Sequence, residues 1–204
     1  MQFTPFDCTY LRRRTHPQSL ELIEYLARWD IRAAFFQCGI SILRHPSIAR
    51  EIQAAGHEIG NHTYSHLLLS PKLGYKPRID SGKTVARQFS LAQEIIEREV
   101  GVTPTLLRVP YGMRWFGMRE VQRELGLLGV MWTAIGHDWE WPARPIAELV
   151  LKKASPAGII CLHDGRDIQP NPDVSEMLKA LKLIVPALVD QGYGFETVSE
   201  LLAP

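Results

Sequence analysis

The stretch Gly56-His57-Glu58-Ile59-Gly60-Asn61-His62-Thr63-Tyr64-Ser65-His66 decides how the rest of the chain is read. It starts on a glycine just past a helical pattern over residues 47–55, which Pro46 opens. Proline at the start and glycine past the end are the usual punctuation of a helix. Residues 57–60 then read as a short strand, and polar residues crowd its end. Two of them, His62 and His66, stand four apart. On one helical turn or in a tight loop, two imidazoles at that spacing can converge on one cation. A third protein ligand, usually a carboxylate, with open positions for water would complete a catalytic metal site. The plainer alternative is a pair of capping or surface histidines. The strand before them and the polar cluster around them favour the metal.

Working outward, short apolar runs alternate with amphipathic stretches. Residues 19–29 carry Leu20, Ile23, Leu26 and Ala27 at helical spacing, and an apolar run over 33–38 stops at Gly39. Residues 83–100 form the longest helical pattern, with Val85, Phe89, Ala92, Ile95 and Ile96 on one face and Gly101 at its end. A strand over 106–109 leads into a turn at 110–112. Beyond it the pattern predicts a helix over 118–127, a strand over 130–135, a helix over 146–154 and a strand over 159–162. A helix over 174–191 follows, in which Pro186 should make a kink or a break, and a last strand at 195–198. Such alternation means parallel strands joined by helical crossovers, about seven units in all. The class is α/β, either a small (β/α) barrel or an open doubly wound sheet. Both place function on the loops after the C-terminal ends of strands.

Composition narrows the function classes. The 204 residues fit one domain, 1–204, at roughly 100–200 residues per domain. Hydrophobic residues make up 46% and charged residues 22%, enough for a core that needs no disulfide staples. Lys and Arg total 23 against 22 for Asp and Glu, so the net charge is +1. That balance gives no electrostatic case for nucleic acid or an anionic membrane as partner. Cys8, Cys38 and Cys161 contain no Cys-x-x-Cys pair and argue against a disulfide framework. No apolar run approaches the roughly 18 residues of a membrane span, and no signal-peptide core opens the chain. A soluble, reduced protein is expected, or an exported one whose leader was removed, and the compartment stays open.

The predicted strand ends collect the chemistry. His62 and His66 follow one, Pro110, Tyr111 and Gly112 a second, His137, Asp138 and Trp139 a third, and His163 and Asp164 a fourth. His163 is a candidate general acid. Asp138 is a candidate partner that would hold its imidazole in one tautomer and favour the charged form. Arg108 sits inside an apolar strand run, where a guanidinium must meet a carboxylate or incur a large desolvation cost, so an acidic partner is expected in the site. Tyr111 can offer a backbone N–H to an oxyanion. Trp139 and Trp141 either wall a sugar-binding groove or belong to the core.

These pieces resemble the polysaccharide deacetylases, the NodB-homology or carbohydrate esterase family 4 proteins. The stretch from Gly56 to His66 is similar to the family's metal-binding motif, and Ala33-Ala34-Phe35-Phe36-Gln37-Cys38-Gly39 to the strand before it. Arg108-Val109-Pro110-Tyr111-Gly112, Asp138-Trp139 and Leu162-His163-Asp164 resemble the third, fourth and fifth motifs. The resemblance covers nearly the whole chain from Thr15 onward. It implies a distorted (β/α) barrel and metal-dependent removal of acetyl groups from a glycan. His62 and His66 would be ligands of a divalent metal, zinc foremost, with cobalt, nickel or manganese as alternatives. His163 would protonate the leaving group with Asp138 in support. Tyr111 would give its N–H to the oxyanion, and Arg108 would orient the catalytic-base carboxylate. Pro110 and Trp139 would line the substrate groove.

One motif departs. The family's first strand carries Thr-Phe-Asp-Asp-Gly-Pro, whose first Asp is the base and whose second is the third metal ligand. Residues 10–15 stand in its place and read Tyr-Leu-Arg-Arg-Arg-Thr. Three consecutive arginines on a central strand would each need a partner, so this first strand is expected to be abnormal. The nearest alternative text is Phe6-Asp7-Cys8, where Asp7 or Cys8 would have to replace a lost carboxylate. The genetic code offers another account. Tyr-Leu-Arg-Arg-Arg-Thr written TAC CTT CGA CGA CGG ACC becomes, one base later, ACC TTC GAC GAC GGA CC, or Thr-Phe-Asp-Asp-Gly-Pro. Residues 1–14 are therefore either divergent or out of frame. As written, the chain has two of three expected metal ligands and no obvious base, so impaired deacetylation is expected. The alternatives are a glycan-binding or scaffold protein that lost the chemistry, and a related metal amidohydrolase acting on a small cyclic amide or formamide.

Overall fold

The computed structural model describes residues 17–67, 81–113, 117–165 and 173–203. Helix α1 (Pro17–Arg28) buries Leu22 and Leu26, one turn apart on one face. Strand β1 (Ala34–Gln37) is buried along its whole length, as a parallel strand covered on both faces must be. Helices α2 (Gly39–Arg44) and α3 (Pro46–Ala54) lead to β2 (Glu58–Asn61). Gly60 sits opposite Phe36 in the β1–β2 pairing, and a Cβ there would lie 2.5 Å from the Phe36 ring. Next come α4 (Ser81–Val100), β3 (Leu106–Leu107), α5 (Met118–Leu125) and β4 (Leu128–Gly129). The chain continues through β5 (Ala134–Ile135), α6 (Ala143–Lys153), β6 (Ile160–Cys161), α7 (Ser175–Asp190) and α8 (Val198–Leu201).

Every strand pairing is parallel. One sheet runs β1-β2-β3-β4, and a second pairs β5 with β6. Within each sheet the strand ends that carry candidate residues therefore point the same way. The main core holds Leu22, Leu26, Phe35, Ile52, Ile146, Leu162 and Ile184. Fully burying such a side chain contributes about 1.5–3 kcal/mol. Among the described residues no helix is long and apolar enough to cross a membrane. The expected first strand and the candidates Asp7 and Cys8 lie outside the described residues.

The structure corrects four sequence expectations. Residues 130–135 are not one strand. The carbonyls of Val130 and Met131 accept hydrogen bonds from the Arg108 guanidinium at 3.3 and 3.4 Å, and a sheet ladder resumes only at Ala134. Residues 195–198 are not a strand either. Thr197 caps α8 in a reciprocal box with Glu200, a Thr-x-x-Glu signature present in the sequence. Helix α7 runs unbroken through Pro186, with Ile184, Val185 and Leu188 buried around the lost hydrogen bond. Gly39 opens α2 rather than merely ending an apolar run, because a Cβ there would meet Ala92 Cα of α4 at 3.2 Å.

His57 fastens the start of β2 to the segment before β1. The Ala33 N–H donates to its Nδ1 at 3.2 Å, and its ring packs on Phe35 at 5.0 Å. A ring that accepts at Nδ1 must be neutral there, and burial lowers its pKa from 6.5 to about 4. The unfolded chain therefore takes up a proton that the folded chain refuses between these values. The contribution is intact above pH 6.5 and declines as the pH falls to about 4. In urea unfolding, the wild-type chain should lose stability over that interval more steeply than His57→Asn. Parallel slopes for the two proteins would refute this role.

Candidate active site

The histidine pair lies on the loop that leaves β2. Asn61, the last residue of that strand, anchors the loop to α4. Its amide donates to the Phe89 carbonyl at 2.9 Å and to Gln93 Oε1 at 3.0 Å, while its Oδ1 accepts from the Thr63 N–H at 3.0 Å. Thr63 Oγ1 in turn accepts from the His66 N–H at 3.1 Å. The two imidazole centroids are 4.9 Å apart. His62 Nδ1 lies 2.7 Å from the Arg108 carbonyl. A carbonyl only accepts, so Nδ1 carries the proton and Nε2 presents its lone pair. That is the arrangement by which an outer hydrogen bond prepares a metal-binding histidine. His62 and His66 are thus brought together as expected, in a tight loop rather than on a helix. Among the described residues no group of three or more possible metal ligands occurs.

A second cluster forms where β5 and β6 end. Asp138 is buried, and both its oxygens serve His163. Oδ2 accepts from the His163 backbone N–H at 2.6 Å, and Oδ1 from its ring Nδ1–H at 2.9 Å. The carboxylate fixes the ring's tautomer and leaves Nε2 at the opposite corner. Burial by itself lowers the imidazole pKa. Cys161 and Asp138, through charge and hydrogen bonds, more than offset it, and the pKa stands well above 6.5. A raised pKa suits a proton donor at neutral pH. By linkage, this pairing stabilises the fold in full below pH 6.5, and the contribution is lost as pH rises through the raised value.

Arg108 joins the clusters. It is 1% exposed, and its guanidinium lies 4.2 Å over the Phe36 ring. Besides the two carbonyls, it donates to Cys161 Sγ at 3.7 Å. Sequence reasoning missed Cys161. It stands two residues before His163 on β6, so both side chains share one face, but only the inter-sheet register places it against Arg108. Tyr111 follows Arg108 in a 3-10 turn (Pro110–Gly112) with φ of 57°, and its ring meets the edge of His66 at 4.8 Å. Thr63, His66, Tyr111 and His137 are four of the six non-glycine residues with positive φ among those described. Strain of this kind gathers at functional sites. Trp139 touches His163 edge-on at 5.2 Å and is 36% exposed, so it is a wall and not core. Pro110 is buried at the first position of its turn and shapes the backbone there.

An Asp-held histidine and a histidine pair thus stand on loops that follow parallel strands, linked through Arg108. The chain belongs to the polysaccharide deacetylase family, whose model matches residues 6–130. It is 34% identical to a chitooligosaccharide deacetylase of Azorhizobium caulinodans, over 89% of this chain and 87% of that one. It is 33% identical to a peptidoglycan-N-acetylglucosamine deacetylase of Bacillus cereus, over 91% of this chain and 81% of that one. Its fold, the distorted α/β barrel expected from the sequence, matches that of a family 4 carbohydrate esterase pseudoenzyme from Bacillus anthracis. The TM-score there is 0.82 at 21% identity, over 99% of this chain and 65% of that one.

Replacing Asp138→Asn removes one of the offsetting charges and should lower the His163 pKa. An imidazole NMR titration reads this directly. An unchanged titration midpoint would show that Asp138 does not set the proton affinity of His163.

Proposed function

We propose that this site is built for metal-dependent hydrolytic deacetylation of an acetylated polysaccharide or oligosaccharide, impaired in the chain as written. The observation that carries the proposal is the link that Arg108 makes between the two clusters: its carbonyl accepts from His62 Nδ1, and its guanidinium donates to Cys161, two residues before the Asp138-held His163. The two relatives named above are deacetylases of chitooligosaccharide and peptidoglycan, which favours an N-acetylated glycan here.

His62 and His66 would hold a divalent ion, zinc foremost. The Nδ1–H bond to Arg108 suits His62 for that role. Such an ion lowers the pKa of bound water and polarises an acetyl carbonyl. The chain's own residues supply a proton donor and an oxyanion contact, while the base of the family's first motif is missing from residues 10–15. His163, kept charged at neutral pH, delivers a proton from Nε2 to the leaving amine. Asp138 retains the Nδ1–H and so keeps the ring oriented through the transfer. The Tyr111 N–H would donate to the oxyanion of the tetrahedral intermediate. Trp139 walls the side of the site next to His163.

A second reading rests on residues 10–15, which lack both aspartates of the family's first motif. On that reading the chain binds glycan and does not cleave it. Acetate release from chitotetraose with added zinc separates the two. Slow release that falls by about a hundredfold or more in His163→Ala supports the enzyme. Saturable glycan binding with no acetate in either protein would overturn the proposal in favour of the binding-only reading.

A further inference from the structure

Beyond the reacting centre lies an aromatic ledge that the chemistry above does not use. His137, Trp139 and Trp141 stand at alternate positions in the loop between β5 and α6. Both the Glu140 and Trp141 N–H groups donate to the His137 carbonyl at 3.1 Å, so the loop folds back on itself. His137 has φ of 53°, an uncommon conformation for a residue with a side chain. Its ring consequently sits between the two indoles. The centroid is 4.8 Å from Trp139 and 5.2 Å from Trp141, and the Trp141 contact is near-parallel at 25°. Trp139 in turn touches His163. His163, Trp139, His137 and Trp141 thus form a row of rings leading away from the candidate proton donor.

We propose that His137 and Trp141 form a carbohydrate-stacking subsite that takes the sugar ring next to the acetylated one. This rests on the glycan reading above and names the length of substrate that the site prefers. Trp141 is 39% exposed, and the stacked imidazole covers one of its faces. The stack holds the exposed part of the indole in place at no further cost in side-chain freedom, which is the condition for useful preorganisation. The surroundings choose a sugar over an apolar protein surface. Glu140 and Arg144, the polar residues flanking the ledge in sequence, are both exposed. A pyranose matches that mixture, with C–H groups for the indole face and hydroxyls for the rim. His137 stands one ring-to-ring step from Trp139 and Trp141 one step further, at 4.8 and 5.2 Å, so a sugar beyond the one at Trp139 would meet the His137–Trp141 pair.

The test follows the indole N–H signals of the five tryptophans by NMR, assigned with single Trp→Phe variants. N-acetylglucosamine monomer and chitotetraose are added in separate titrations. The tetramer is expected to shift both Trp139 and Trp141, and the monomer to shift Trp139 alone. Trp141→Ala should weaken tetramer binding about tenfold, the effect of losing one aromatic contact. A tetramer that shifts Trp139 while Trp141 stays still, with Trp141→Ala binding it as well as wild type, overturns the subsite and leaves the glycan reading standing. No response of either tryptophan to either sugar overturns both. A Trp141 shift that depends on protein concentration and not on sugar shows that a second copy of the chain covers the ledge, and also overturns the proposal.

Discussion

A buried guanidinium organises this structure. Arg108 heads the fully buried side chains by size, and a charge in that position costs several kcal/mol unless its donors find partners. It meets the carbonyls of Val130 and Met131, the sulfur of Cys161 and the face of Phe36. Phe36 belongs to the first sheet and Cys161 to the second, so the guanidinium spans the place where the strand ladder is interrupted. Its backbone carbonyl also sets the tautomer of His62. One residue therefore links the two sheets, orients a candidate metal ligand and lies beside the sulfur next to the candidate proton donor. Each contact has a plain electrostatic purpose, and their sum is a site assembled from both sheets.

The two halves of that site differ in completeness. The acid half is closed upon itself, since Asp138 spends both oxygens on His163. The metal half offers two imidazoles whose loop is fastened through Asn61 to α4, which makes it a rigid platform. The left-handed backbone at Thr63, His66 and Tyr111 marks where that platform bends to bring its side chains inward.

Much of this was legible in the sequence because parallel α/β folds put polar residues at strand ends. His62, His66, Asp138 and His163 stood in the polar clusters at strand ends, Arg108 stood inside an apolar run, and the resemblance to a deacetylase family gave them roles. Legibility failed where long-range contacts decided. No local pattern says that Arg108 would take the carbonyls after β4, and so residues 130–135 read as one strand. Cys161 carried no local signal in the sequence, and only the placing of β6 beside Arg108 gives it a contact in the site. His137 was seen as a strand-end histidine, but its stack on Trp141 needed the left-handed turn. The capping box at Thr197 was a local signal and was outweighed by the apolar look of Phe195 and Val198.

The weak point of the chemistry is residues 10–15, where a one-base shift turns Tyr-Leu-Arg-Arg-Arg-Thr into Thr-Phe-Asp-Asp-Gly-Pro. If the rest of the site is intact, the missing carboxylates alone limit metal affinity. The direct measurement is a zinc titration by calorimetry on two proteins. One is the chain as written. The other carries Tyr10→Thr, Leu11→Phe, Arg12→Asp, Arg13→Asp, Arg14→Gly and Thr15→Pro. The account predicts binding weaker than micromolar in the first. In the second it predicts one ion bound at micromolar affinity or tighter, lost again in His62→Ala and His66→Ala. Tight stoichiometric binding by the chain as written, or no gain in the repaired one, would contradict it.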